Sequence, residues 1–343
     1  MRKPGRRRTV VATLTLALVA AGCGGTGSDA DTTSGAEGQD PVVDGSAFPV
    51  TIEHKYGSTV ISAEPERVVS LGFQEHDAIL ALGVTPVAVR YWYGPEDDVI
   101  YPWAEEAARG AEPEILVMPE LNVEAVAAVH PDLILGVYSG ITEIEYEQLS
   151  EIAPTVAQTD EYVDYGVPWQ DMTLTAGRAL GRLERAEELV NDLEGRFADL
   201  RAEHPAFEGK SVAVATYGAD NIGFFASDDP RSRFFRSLGF EVPAELDTIA
   251  GELFYGELSY EQAELLDRDL LVWDQLSFTV GGRATVEADP LVAQLAAMQE
   301  ERALFLEGEL ESAFGWSTVL SLPFVLDAIL PLLEEAMGTA ATS

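Results

Sequence analysis

Among 343 residues there is one cysteine, Cys23, and there are four histidines and only 21 Lys and Arg against 59 Asp and Glu. A lone cysteine excludes an internal disulfide, and its place ahead of every folded segment excludes thiolate chemistry in the body of the protein. The histidines, His54, His76, His130 and His204, share no metal-ligand spacing and no HExxH occurs, so no histidine metal centre is indicated. GxSxG and Walker A motifs are absent, and the one GxGxxG string, Gly22 to Gly27, sits where the apolar run gives way to a Gly/Ser-rich stretch rather than between a strand and a helix, which removes the common hydrolase, NTPase and dinucleotide-binding readings. With a net charge of −38, basic residues are too scarce for a nucleic-acid partner or for attraction to anionic lipid headgroups. Such acidity names no substrate, but it makes any local group of arginines informative.

The 47% hydrophobic content is that of a globular protein, and the length suits two domains. The start of the chain stands apart. Arg2, Lys3 and Arg6 to Arg8 precede a largely apolar run from Val10 to Ala21, too short to span a bilayer permanently, which predicts a secretory signal peptide over residues 1–22. Small residues Ala20, Ala21 and Gly22 lead into Cys23 and resemble the bacterial lipobox, although its usual leucine is Ala20 here. Cys23 is therefore the expected lipidated first residue of the mature protein; cleavage at another small residue, leaving Cys23 idle, is the alternative. Residues 23–47 are rich in Gly, Ser, Thr and Asp without apolar period and read as a lipidated flexible tether, with a reach of roughly 25–30 Å.

Beyond the tether the pattern is strand, helix, strand. ERVVSLG (66–72) reads as a strand, HDAILALGV (76–84) as a helix closed by Gly83, and PVAVRYW as the next strand, which is the unit of a parallel sheet. GKSVAVATYG (209–218) and RFFRSLGFEVP (233–243) restart the pattern. One internal repeat has no gap: LNVEAVAAVHPDLIL (121–135) and LSYEQAELLDRDLLV (258–272) share Leu121 with Leu258, Glu124 with Glu261, Asp132 with Asp269 and Leu133 with Leu270. Asn122 and Ser259 are good N-caps, and Ser259 with Gln262 forms a capping box. Two similar α/β lobes are the economical interpretation. Between them, Pro168 to His204 carries apolar residues at steps of three and four from Trp169 to Leu200, predicting one amphipathic helix of about 50 Å. Such a helix is a strut, and two lobes on a strut leave a cleft that flexes little.

Aromatics and arginines gather at strand ends and loops, where ligands bind in open α/β sheets. The first lobe offers Arg90, Trp92 and Tyr93 in VAVRYWYG, Trp103, and Tyr138 in GVYSG. Strand alternation turns Tyr91 away from Arg90. The second lobe offers Tyr217 and Phe225 in ATYGADNIGFF, Arg231 and Arg233 in DDPRSRFF, and Trp273 at the end of DLLVW. Rings stack on an organic ligand and arginines donate to its oxygens. The bland readings stay open, with Arg231 and Arg233 as solvated loop charges and Trp273 as core filler.

PERVVSLGFQEHDAILALGVTPVAV, LNVEAVAAVHPDLILGVYSG, LSEIAPTVAQ, DPRSRFFRSLGF, LLDRDLLVW and VLSLPFVLDAILPLL together resemble the substrate-binding lipoproteins of iron-siderophore ABC importers, over nearly all of residues 50–335. That resemblance implies the class III periplasmic-binding-protein fold, two α/β lobes with mainly parallel sheets joined by a single long α-helix, with lobes at 48–165 and 205–343 and the helix at 166–204. It implies a ferric siderophore in the cleft, a membrane permease as partner, docked through Glu124 and Glu261, a monomeric receptor on the outer face of the cytoplasmic membrane, and neither an enzyme nor a cofactor. Both glutamates fall near helix N-termini, where a carboxylate is favoured. The siderophore supplies iron with its own oxygens, so no protein metal ligand is expected. Neutral or cationic hydroxamates would suit so acidic a body better than catecholates. Cobalamin or haem in the same fold, a secreted hydrolase using two carboxylates, and a scaffolding lipoprotein are the alternatives.

Overall fold

The computed structural model describes residues 47–91, 99–116 and 121–339. Cys23, the signal and nearly all of the tether lie outside them, as do Trp92 and Tyr93. The described chain opens with an antiparallel hairpin of β1 (Val50–His54) and β2 (Gly57–Ile61), turned at Gly57 with φ 118°.

β3 (Val68–Ser70), β4 (Ala88–Arg90), β5 (Glu114–Leu116), β6 (Leu133–Gly136) and β7 (Thr155–Ala157) form a sheet in the order β5-β4-β3-β6-β7, with every pair parallel. The helix His76–Ala81 joins β3 to β4, and Gly83, at φ 77°, follows its end as the sequence predicts. The second sheet contains β8 (Val212–Tyr217), β9 (Ile222–Phe225), β10 (Tyr255–Leu258), β11 (Leu270–Trp273) and β12 (Ala303–Phe305), ordered β10-β9-β8-β11-β12. β8, β11 and β12 are parallel, whereas β9 runs antiparallel to both its neighbours. The cause is local: the Gly218 amide donates to the Asn221 carbonyl at 3.0 Å, so the chain leaving β8 turns straight back on it.

The internal repeat has a structural counterpart. Asn122 Oδ1 caps its helix by accepting from the Ala125 amide at 3.0 Å, and Gln262 reaches back to the Ser259 amide at 3.2 Å. Asp132 accepts from the amides of Glu66 and Arg67, each at 2.8 Å, immediately before β3. Asp269 accepts from the Ser211 amide at 2.9 Å and its hydroxyl at 2.7 Å, immediately before β8. In each sheet, the aspartate that begins one central strand therefore pins the start of its parallel neighbour.

The single helix expected over 166–204 is two helices. Trp169–Ala179 ends at Leu180, Gly181 takes φ 66°, and Leu183–Glu203 follows as a separate helix. The two fold back on one another: Gln170 Nε2 donates to Glu194 Oε1 at 3.1 Å, and a Cβ at Gly177 would stand 2.4 Å from that of Ala186. Unbroken apolar periodicity conceals the break, because both helices turn their stripes, Met172 and Ala176 on one and Ala186, Leu193 and Phe197 on the other, into the same core. The crossing helix Leu183–Glu203 has 21 residues, about 31 Å at 1.5 Å per residue.

This helix is not the sole link between lobes. After β12 the helices Gly308–Trp316 and Ser321–Ala336 return to the first lobe, where Thr318 Oγ1 donates to Asp77 at 2.5 Å and Gln74 donates to the Gly315 carbonyl at 3.1 Å. Alternation along the strands sorts the core. Val68, Leu133, Val212 and Val272 face one continuous cluster that passes through both lobes and includes Leu193, Phe197 and Phe314. Val69 and Ile134 face a separate cluster in the first lobe, and Ala213 and Trp273 another in the second. Swinging one lobe from the other would expose part of the shared cluster, at about 25 cal/mol per Å² of apolar surface. What opposes motion between the lobes is thus a shared core and two connections rather than a single strut.

Candidate functional site

The carboxyl end of β3 runs into Gly72, Phe73, Gln74 and Glu75, and this turn organises the first lobe's rim. Glu75 is 1% exposed and accepts from the Gly72 amide at 3.0 Å and the Tyr138 amide at 3.1 Å, tying the β3 exit to the β6 exit. Burial raises its pKa from 4.5 to about 7, against the pull of the amides that bond it. Gly72 is required here, since a Cβ would fall 2.3 Å from the Glu75 carboxylate.

Arg90 ends β4 beside this turn. Its guanidinium lies 4.4 Å from the centre of the Phe73 ring, its Nη1 is 3.5 Å from the Ser139 carbonyl, and its Nε has no hydrogen-bond partner among the described residues. Burial holds its pKa below the ordinary value, because a partly desolvated cation is costly. Phe73 stacks on Tyr165 at 5.8 Å, and Tyr138 meets Tyr165 edge-on at 5.7 Å. Gly140, at φ 60°, admits Tyr165: a Cβ there would be 2.4 Å from the tyrosine hydroxyl. Tyr165 also meets Phe254 of the second lobe edge-on at 6.4 Å, so the ring floor crosses between lobes.

The second lobe uses its arginines differently. Arg231, 6% exposed, donates from Nε to Asp274 at 2.7 Å, stands 3.4 Å from both Asp229 oxygens, and covers the Phe225 ring at 4.2 Å. Burial pushes the pKa of both aspartates up while Arg231 draws them back down. Arg233 reaches the first lobe, donating to the Gly166 carbonyl at 2.5 Å and lying 5.4 Å from the Tyr162 ring; it also pairs with Asp228 at 3.3 Å. Burial raises the Tyr138 hydroxyl's pKa, with Asp229 adding to the rise and Arg231 and Arg233 opposing it, which puts the rims of the two lobes within electrostatic range.

The structure thus brings together Arg90, Tyr138, Arg231 and Arg233, with Phe225 buried beneath Arg231. It separates the others. Trp273 is fully buried in the outer core of the second lobe, a correction to the expected rim position: β11 is an internal strand covered on both faces, and alternation sends Trp273 to the face opposite Val272. Tyr217 also turns outward, bonding Asp289 at 2.8 Å and packing at 5.4 Å from Tyr260. Trp103 stacks on Tyr101 at 4.6 Å, faces Trp316 edge-on and donates to Asp77 at 2.9 Å, beneath the returning C-terminal helices. Glu124 and Glu261 are solvent-exposed in the first turns of their helices, and the Ser259 hydroxyl together with a backbone amide lowers the Glu261 pKa.

Phe73, Glu75, Tyr165 and Phe254 escaped the sequence reading. Phe73 follows a strand end as Arg90 does and was findable by the same rule; Tyr165 and Phe254 are rings in the polar loops DEYVDYG and GELFYG, a weaker signal. Among the described residues no group of three or more His, Cys, Asp or Glu is placed to hold a metal ion, and no helix is long and apolar enough to cross a membrane. The geometry suits an oxygen-bearing organic face set against rings and one guanidinium.

The sequence model of the periplasmic binding protein family matches residues 68–310, more than half of the chain. A probable siderophore-binding lipoprotein of Bacillus subtilis, YfiY, is 31% identical over 195 residues, which is 56% of this chain and only 57% of that protein's length. The crystal structure of a periplasmic solute binding protein from Mycobacterium smegmatis superposes with a TM-score of 0.75 at 34% identity, covering 84% of this chain and 99% of that one. That of Streptococcus pneumoniae PiaA in complex with ferrichrome gives 0.72 at 28% identity, covering 85% and 99%.

Proposed function

The chain belongs to the periplasmic binding protein family, and on that premise we propose that it is the extracytoplasmic receptor of an ABC importer that captures a ferric siderophore between its lobes and passes it to the membrane permease. The observation that carries this reading is Arg90: a half-buried guanidinium at a strand tip, over Phe73 and beside a ring floor drawn from both lobes, with no carboxylate within 4 Å among the described residues. Names and ligands of the relatives point the same way, since they include a siderophore-binding lipoprotein and a ferrichrome complex. A chelator cage satisfies iron, so the protein supplies shape, rings and hydrogen bonds and is not an enzyme. Affinity then comes from a preformed cleft, because the shared core limits the ordering lost on binding.

In this reading the lobes are built from residues 48–165 and 205–343, with the helices Gly308–Trp316 and Ser321–Ala336 of the latter segment packed back on the first lobe, Cys23 carries the lipid anchor, and the monomer docks on the permease through Glu124 and Glu261. Titration of the protein with a panel of ferric siderophores, followed by tryptophan fluorescence, is the direct test. One member should bind stoichiometrically; indifference to all, or a stoichiometric haem or cobalamin spectrum instead, removes the proposal. Changing Glu124 and Glu261 to Lys should abolish uptake and leave solution affinity intact, whereas a loss of affinity would place them in the cleft.

A further inference from the structure

Five of the 21 Lys and Arg precede residue 9, and all the others lie among the described residues. Residues 92–98 and 117–120, outside the described residues, contain no Lys or Arg. The cations available to the cleft are therefore known. Three stand at its rims, and Lys55, behind Tyr165, is bonded to Asp164 at 2.7 Å.

Two of the three rim arginines already face carboxylates. Arg231 lies between Asp229 and Asp274, which are themselves 1% and 0% exposed, and Arg233 pairs with Asp228 while holding the Gly166 carbonyl. Arg90 alone has no carboxylate within ion-pairing distance among the described residues. Arginines and aspartates of the rims balance in number, and Glu75 lies under the floor in addition. Beyond them the whole chain carries a net charge of −38, whose potential opposes anions.

Ferric complexes differ in charge by chemistry alone. Three hydroxamates each lose one proton and leave iron(III) complexed without net charge; three catecholates each lose two and leave a trianion. A trianion entering this cleft meets one guanidinium that, among the described residues, has no carboxylate within ion-pairing distance and lies in the field of Glu145, together with the buried carboxylates of the rims. A neutral complex still offers oxygens to Arg90 and an apolar rim to Phe73, Tyr165 and Phe254. Building on the receptor function proposed above, we propose that the cleft selects ferric chelates that carry no net negative charge, of the tris-hydroxamate type, over polyanionic catecholate chelates, with Arg90 as the single charged contact.

The test is calorimetric titration of the full chain, held in non-ionic detergent, with a ferric tris-hydroxamate and a ferric tris-catecholate at low and physiological salt. The hydroxamate should bind at least tenfold more tightly at low salt, and the gap should narrow as salt screens the repulsion. Equal or tighter catecholate binding overturns the charge selection and leaves the receptor reading standing. A preference insensitive to salt also overturns it, since shape would then be the cause. Failure of every ferric chelate to bind ends both readings.

Discussion

The lobes share a sheet plan and a pinning aspartate, yet they treat buried charge in opposite ways. In the first lobe the buried carboxylate, Glu75, is held by backbone amides, and the neighbouring arginine, Arg90, feels Glu145 at a distance but has no carboxylate within ion-pairing range among the described residues. In the second lobe Asp229 and Asp274 enclose Arg231. A buried ion pair consumes the field of both partners, so the second lobe's arginine stabilises its own lobe while the first lobe's remains able to act on a ligand. The same side chain at equivalent rims is thus ion-paired in one place and, under the proposed function, reserved for the ligand in the other.

The largest break in this comparison comes from Arg231→Met. It strands two buried carboxylates, and urea denaturation should show a loss of about 3–5 kcal/mol; a loss below about 1 kcal/mol would mean that the aspartates find other partners. Next is the pH response of Glu75. Its folded pKa of about 7 exceeds the ordinary 4.5, so the unfolded chain releases this proton first and stability falls as pH rises from 4.5 through 7, by about 3 kcal/mol. Below 4.5 both states are protonated and the effect vanishes. Denaturation of wild type and Glu75→Gln across that interval should show this slope only in the wild type, other carboxylates cancelling in the difference.

A smaller effect sharpens the likeness between lobes. Asp132→Ala and Asp269→Ala should each cost about 1–2 kcal/mol in chemical denaturation, because each frees donors at the start of a central strand. Costs differing by more than that amount would show that the repeat is not energetically equivalent. Smallest is Arg90→Ala, which should leave the denaturation midpoint nearly unchanged while weakening ferric-siderophore binding by more than tenfold, about 1.4 kcal/mol. Equal affinities by fluorescence titration would remove Arg90 from recognition.

Much of the fold is legible because it rests on short-range rules. Gly83 ends its helix, Asn122 caps the next, and the repeat at 121–135 and 258–272 marks two lobes. The misplaced residues fail for a different reason. Trp273 and Tyr217 end apolar strands as Arg90 does, and the sequence does not say which face of each strand the next layer will cover. The helix break at Gly181 is hidden by a periodicity that both halves keep, since a hairpin and a rod bury the same stripe.

The sequence by itself determined the two-lobed plan, the scarcity of cations and the strand ends where a ligand would sit, because composition, periodicity and capping act through neighbours in the chain, while the class of protein came from the resemblance of whole stretches to a known family. Only the tertiary structure decided which rim arginines form ion pairs among the described residues. Asp274 lies 43 residues beyond Arg231 and meets it only when β11 and the helix Pro230–Ser237 pack together. Charge pairing depends on distance in space, and folding sets that distance.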